Sequence, residues 1–226
     1  MQSGDTSLAD KNFALLMNNT MLPFIDPVSQ LVNWTNHVVK SQYNSVCHNS
    51  SSYFPPNVSD GGSSCDITDW QPSYREGFVF TNINTIINAF AVESMTLLAE
   101  LALVTGREHE ASLLNQQANA TRTAMLATMY SSQHLWCDGI CAQTPNASTS
   151  YHTQHFLLWL GLTPSSEVPF ALTYLQEKGM LGSVYSAYSL LTGLYTRAAD
   201  LDQGQLALTL LTQCSNYSWC AVIFYC

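Results

Sequence analysis

The chain has 226 residues, 46% of them apolar, enough for one large domain or two small ones with a sizeable core. Only 10% are Asp, Glu, Lys or Arg, where about 25% is usual, and sixteen acids against seven bases leave a formal charge of −9. This balance argues against a nucleic-acid binder, which needs a basic stripe to neutralise phosphates. The stretch Ala99 to Val104, apolar but for Glu100, and others like it stop far short of the ~20 residues that span a bilayer, so no membrane insertion is expected. Abundant aromatics and periodic apolar positions argue against disorder. The surface must be polar by uncharged means.

The chain opens MQSGDTSLADKNF, with neither the basic nor the apolar region of a signal peptide, so either a signal has been removed or Met1 is an internal methionine of something longer, and the segments that follow favour the second. Helices are expected over 7–22 and 28–46. The segment 47–81 is rich in Ser, Pro, Gly and Asn, and loops this long in a helical domain usually carry function or are disordered. Apolar residues at 83, 86, 87, 90, 97, 98 and 101 then fit a 3.6-residue period that Gly106 stops. Ala111, Leu114, Ala118, Met125 and Met129 continue it in the next helix. His152 and His155 open an apolar helix, HFLLWLGL. Thr163, Pro164 and Glu167 read as N-cap, first-turn proline and first-turn acid of a helix that buries Phe170, Ala171, Tyr174 and Leu175 and ends at Gly179. Val184, Ala187, Tyr188, Leu191, Leu194, Tyr195 and Ala198 form a further stripe, and 206–211 the last. The expected class is all-α, with about eight helices and consecutive antiparallel hairpins over 82–212. Hairpins of this kind build a solenoid or a closed α/α barrel, and no repeat period supports a consensus solenoid.

Asn-x-Ser/Thr occurs at Asn18, Asn33, Asn49, Asn57, Asn119, Asn146 and Asn216. Seven glycosylation acceptors in a chain poor in Lys and Glu suggest a glycan-covered surface in place of a charged one. The cysteines agree with a secreted, lysosomal or extracellular setting. Cys47 and Cys65 bracket the long loop, Cys137 and Cys141 lie four apart, Cys214 and Cys220 six apart, and Cys226 is left over. A Cys47–Cys65 bridge would contribute about 3 kcal/mol in the chain-entropy model, although six cysteines allow fifteen pairings. Cys137 and Cys141 with His152 and His155 form a Cys2His2 set, but ten residues separate the pairs and two the histidines, a poor match to a zinc finger. No metal and no cofactor are expected.

The long loop ends in Asp66-Ile-Thr-Asp69-Trp70-Gln-Pro-Ser-Tyr-Arg75-Glu76-Gly-Phe78, which gathers carboxylates, a guanidinium and aromatics. Proteins hold sugars with such sets: the ring face stacks and the acids bond hydroxyls. The plainer reading is a solvated loop with a local Arg–Glu pair. His152 and His155 read more readily as structural histidines than as catalysts, and Glu93 and Glu100 as partly buried acids satisfied by a neighbouring helix. Nucleophile-elbow, P-loop and dinucleotide motifs are absent from the sequence.

Taken in order, the segments Asp69-Trp70-Gln71-Pro72, Arg75-Glu76-Gly77-Phe78 and Asn84-Thr85-Ile86-Ile87-Asn88-Ala89-Phe90 resemble the "DWP…RDGY…NTVVNAF" signature of α-L-rhamnosidase-like six-hairpin glycosidases. Ser150 to His155, Gly161-Leu162-Thr163-Pro164 and Gly179 to Tyr185 are similar to further segments of the family, as are Ser218-Trp219 and the opening Met1 to Ser7. The resemblance implies an (α/α)6 toroid that hydrolyses terminal α-L-rhamnosides with inversion through two carboxyl groups, with a rhamnose-containing glycoside or polysaccharide as its partner. It places Asp69, Trp70 and Arg75, and more weakly His152, against the sugar. Trp70 would stack and Asp69 would bind hydroxyls, while Glu76 stands where the family more often has Asp. The family's acid and base segments fall outside this chain. The expectation is therefore a partial domain, 1–226, with 47–81 as its sugar-side loop. About four of six hairpins leave the toroid open, catalytically inactive, and prone to self-association through exposed apolar faces. A non-catalytic carbohydrate-binding module and a helical interaction domain are the alternatives.

Overall fold

The computed structural model describes residues 6–19, 22–33, 76–197 and 204–214. Among them are seven α-helices and no strand, in accord with the all-α expectation: α1 (Ser7–Asn19), α2 (Thr85–Val104), α3 (Glu108–Thr128), α4 (Tyr151–Trp159), α5 (Val168–Lys178), α6 (Val184–Arg197) and α7 (Gly204–Thr212). Three isolated bridges, Ile25–Val32, Asn84–Gly139 and Tyr130–Trp136, tie loops together.

The helix expected over 28–46 does not begin where its apolar residues suggested. Asp26 accepts hydrogen bonds from the Val28 and Ser29 amides at 3.0 and 2.7 Å and from the Ser29 hydroxyl at 3.0 Å. An Asx turn of this kind competes with the first helical turn, and the chain bends back into the Ile25–Val32 bridge instead. Residues 34–46 and most of the long loop lie outside the described residues.

Asn84 caps α2, its side chain accepting from the Ile87 amide at 3.1 Å, and Gly106 at φ +74° turns the chain into α3. The two helices pack as a hairpin. Length and a mean hydropathy of 1.6 would let α2 cross a membrane, yet half of that stretch is buried inside the protein. The stripe expected on α3 is the one observed, with Ala111, Leu114, Ala118, Met125 and Met129 all buried.

Helix α4 is buried all round from Tyr151 to Leu158, as a helix at the centre of a bundle must be. Phe156 and Leu157 join the core made by α1, α2 and α3, while Tyr151 and Leu158 join the core of α5, α6 and α7. A single short helix is thus the partition between two hydrophobic cores. Leu8, Leu15, Leu97 and Leu103 remain exposed.

Two boundaries differ from the sequence expectation. Helix α5 starts at Val168, because Pro164–Glu167 close a separate turn through the Glu167 and Val168 amides on the Pro164 carbonyl. Its Phe170 is exposed, and Leu172 is buried in its place. Helix α6 is rotated by about one residue from its expected face. It buries Ser186, Ala187, Ser189, Leu190, Gly193 and Leu194 and leaves Tyr188 and Tyr195 in solvent. The cause is the close crossing with α4, where a Cβ on Gly193 would lie 3.1 Å from the Trp159 nitrogen and 3.2 Å from its Cα. Gly193→Leu should accordingly lower stability by about 1–3 kcal/mol in thermal unfolding, and an unchanged midpoint would refute the close approach.

Candidate functional site

The described end of the long loop is held by its own sequence. Glu76 and Gly77 both take left-handed backbone angles, φ +46° and +73°, which folds the loop sharply into 78–83. Arg75, the partner in the local pair read from the sequence, lies outside the described residues, and Glu76 has other partners. Its carboxylate accepts the first amide of α4, from Tyr151, at 3.0 Å, and meets the Lys178 ammonium at 2.6 Å. An acid at a helix N-terminus is favoured by the exposed amides and the helix dipole. Burial, followed by the nearby charges of Glu76 and Asp138, pushes the Tyr174 hydroxyl up.

Beside this turn lies Asp138, between two cysteines. Cys137 and Cys141 are joined by a disulfide with Cα atoms 5.4 Å apart. The bond takes up both thiolates that a Cys2His2 site would need. Among the described residues no cluster of His, Cys, Asp and Glu could hold a metal ion. Cys214 is also disulfide-bonded, whereas Cys47, Cys65, Cys220 and Cys226 lie outside the described residues.

The Asp138 carboxylate accepts from the Thr153 hydroxyl at 2.6 Å, the Ser150 amide at 3.0 Å, the Ser148 hydroxyl at 3.0 Å and the Val79 amide at 3.1 Å. Its backbone carbonyl takes the Thr85 amide at 3.0 Å. One residue therefore gathers the N-termini of α2 and α4 and the exit of the long loop. Burial pushes its carboxyl above the ordinary value of 3.8, although the four hydrogen bonds pull the other way.

A cavity of about 620 Å³ opens between 79–83 and 140–145, with Asn33 at one side. Phe80, Asn82 and Gln143 line it, and none of its described lining residues is ionisable. Away from these lining residues, Glu167 accepts from His134 at 2.7 Å and from the Tyr130 hydroxyl at 3.0 Å, and Phe170 stacks on the His134 ring at 4.3 Å. These bonds, His134 first, hold the Glu167 carboxyl below its usual range.

The sequence candidates fall unevenly on this geometry. Asp69, Trp70 and Arg75 lie outside the described residues. His152 is on α4 with no exposed surface, its ring 5.2 Å from that of His155. His155 meets the Ser189 hydroxyl at 3.0 Å. Glu93 is half-buried, but Glu100 is exposed rather than satisfied by a neighbouring helix. Asn18, Asn119 and Asn146 are exposed and Asn33 half-buried, while Asn49, Asn57 and Asn216 lie outside the described residues.

The family model of the bacterial α-L-rhamnosidase six-hairpin glycosidase domain matches residues 35–223, most of the chain. The chain belongs to this family. No curated protein matches it. In this six-hairpin glycosidase domain, Asp138, Glu76 and Glu167 are each committed to structural hydrogen bonds or ion pairs. Asp138 escaped the sequence reading because its donors, from Val79 to Thr153, are brought to it only by the fold. The Cys-Asp-Gly-Ile-Cys crowding of 137–141 was its only signal.

Proposed function

We propose that the chain is the sugar-holding middle of a secreted α-L-rhamnosidase that cleaves terminal α-L-rhamnosides with inversion, and that these 226 residues alone do not turn substrate over. The family match over 35–223 carries the reading. Trp70 stacks on the sugar, Asp69 bonds its hydroxyls and Arg75 completes the polar set. His152, buried on α4, is the weaker candidate of the set. The Cys137–Cys141 disulfide and the exposed acceptors Asn18, Asn119 and Asn146 support secretion.

Inversion requires an acid and a base roughly 6.5–9.5 Å apart with water between them. Asp138 is spent on four donors and Glu76 on Lys178 and α4, so neither is available to activate water. The purified chain should release no p-nitrophenol from its α-L-rhamnoside above blank, and clear turnover would overturn the inactivity. Calorimetry with methyl α-L-rhamnoside should show binding that Trp70→Ala weakens roughly tenfold through lost stacking. Absence of affinity in both forms would sink the sugar-holding reading.

A further inference from the structure

We infer that Asn146 is an N-glycosylation site whose glycan must be attached before the loop 137–148 folds, because the folded loop engages the serine hydroxyl of its own motif. That the chain meets a glycosylating enzyme rests on the secretory reading above; the order of events rests on the loop geometry.

Asn146, Ala147 and Ser148 form an Asn-x-Ser motif on the turn that begins at Pro145. Asn146 and Ala147 are exposed, so a glycan on the asparagine stays in water and disturbs no core. The third position of such motifs takes Ser or Thr, whose common polar group is the hydroxyl, so the hydroxyl is what the transferring enzyme reads. In the transfer, Asn146 Nδ2 bonds to the anomeric carbon of an oligosaccharide carried on a lipid diphosphate. The bond from that carbon to the phosphate oxygen breaks, the lipid diphosphate leaves, and the amide loses one proton.

In the fold that hydroxyl is already engaged. Ser148 Oγ donates to the Asp138 carboxylate at 3.0 Å, the Ser148 amide donates to the Pro145 carbonyl at 3.1 Å, and the Ser148 carbonyl accepts from the Asp138 amide at 2.8 Å. Asn146 and Ala147 both take left-handed angles, φ +53° and +48°, and the Ala147 amide donates to the Thr144 carbonyl at 3.0 Å. Left-handed backbone is unfavourable for alanine, so the surroundings hold this turn closed. The Cys137–Cys141 disulfide and the bonds of Asp138 to Val79, Ser150 and Thr153 supply that hold. Asn119 repeats the arrangement on α3: the asparagine is exposed, while Thr121 of its motif is 0% exposed and donates to the Gln30 carbonyl at 2.8 Å. In both motifs folding keeps the asparagine in solvent and takes the hydroxyl away.

The full chain, placed behind a cleavable signal sequence in a eukaryotic secretory host, tests the site. An N-glycosidase acting in heavy-oxygen water turns an occupied asparagine into labelled aspartate, and mass spectrometry of the translocated chain should find Asn146 labelled in most copies. Asn146→Gln should remove that label and no other. Asn146 left unlabelled would overturn the site. For the order of events, the unglycosylated full chain, with its Cys137–Cys141 bond verified by peptide mapping and its helices by circular dichroism, is offered to a purified oligosaccharyltransferase and the lipid-linked donor. Transfer to Asn146 should be at least about tenfold slower than transfer to the peptide 142–151, since only chains opened locally at the loop can react. Equal rates would overturn the order. Fractionation of the native source separates this from the secretory reading. Chain found only in the cytosol, with Asn146 labelled in the signal-bearing chain, leaves the site standing and sinks secretion. Secreted chain with Asn146 bare sinks the site and leaves secretion standing.

Discussion

Asp138→Ala is expected to lower stability by about 3–5 kcal/mol, because it leaves the Val79 and Ser150 amides without their acceptor at roughly 1–3 kcal/mol each and opens a void besides. Urea unfolding at neutral pH, followed by far-UV circular dichroism, measures it. A loss below about 1 kcal/mol would show that the four hydrogen bonds do not organise the site. Asp138→Asn should lose less, since its carbonyl oxygen can keep two of the donors.

The same carboxyl fixes a sign for the pH dependence. Burial raises its native value above the ordinary 3.8, so protonation favours the folded state. The stability this group contributes is fully present below 3.8 and is lost as pH rises through the native value. The carboxyls of Asp10, Asp26 and Glu167 are lowered, so what they contribute is lost in the opposite direction, as pH falls. Comparison with Asp138→Asn isolates the first effect: wild type should gain on the variant as pH falls towards 4, and a gap that moves the other way would contradict the burial.

Trp136→Ala should be as damaging, by about 3–5 kcal/mol. Trp136 is 1% exposed, packs edge-on to Tyr130 at 5.0 Å and donates from its indole to the Thr163 hydroxyl at 3.2 Å. Its backbone is clamped by the Gln154 side chain, which accepts from its amide at 3.0 Å and donates to its carbonyl at 2.8 Å. Trp136→Phe keeps most of the packing and loses the indole bond, so it should cost only about 1–2 kcal/mol. Equal losses for the two variants in urea unfolding would show that cavity formation is not the main term.

Thr163 shows why part of this was not legible. As an N-cap candidate before a proline it fits the local rule, yet in the fold its hydroxyl answers Trp136, twenty-seven residues away, and the helix begins at Val168. Glu167, read as a first-turn acid, likewise serves His134 and Tyr130. Both residue types have the right chemistry for a local role, and a tertiary partner outbid it.

The sequence by itself determined the helical class, the buried stripe of α3, the glycine stops at Gly106 and Gly179, and, through an ordered string of short segments, the glycosidase family. Period and turn chemistry are local quantities, and a linear reading reaches them. Tertiary structure alone decided which arc of α6 is buried and that Asp138 joins the starts of α2 and α4 to the loop exit. Helical period says that some face must be covered. Which face depends on how closely another backbone can come, and Ser186, Ser189 and Gly193 win that place over larger tyrosines because α4 passes directly against them.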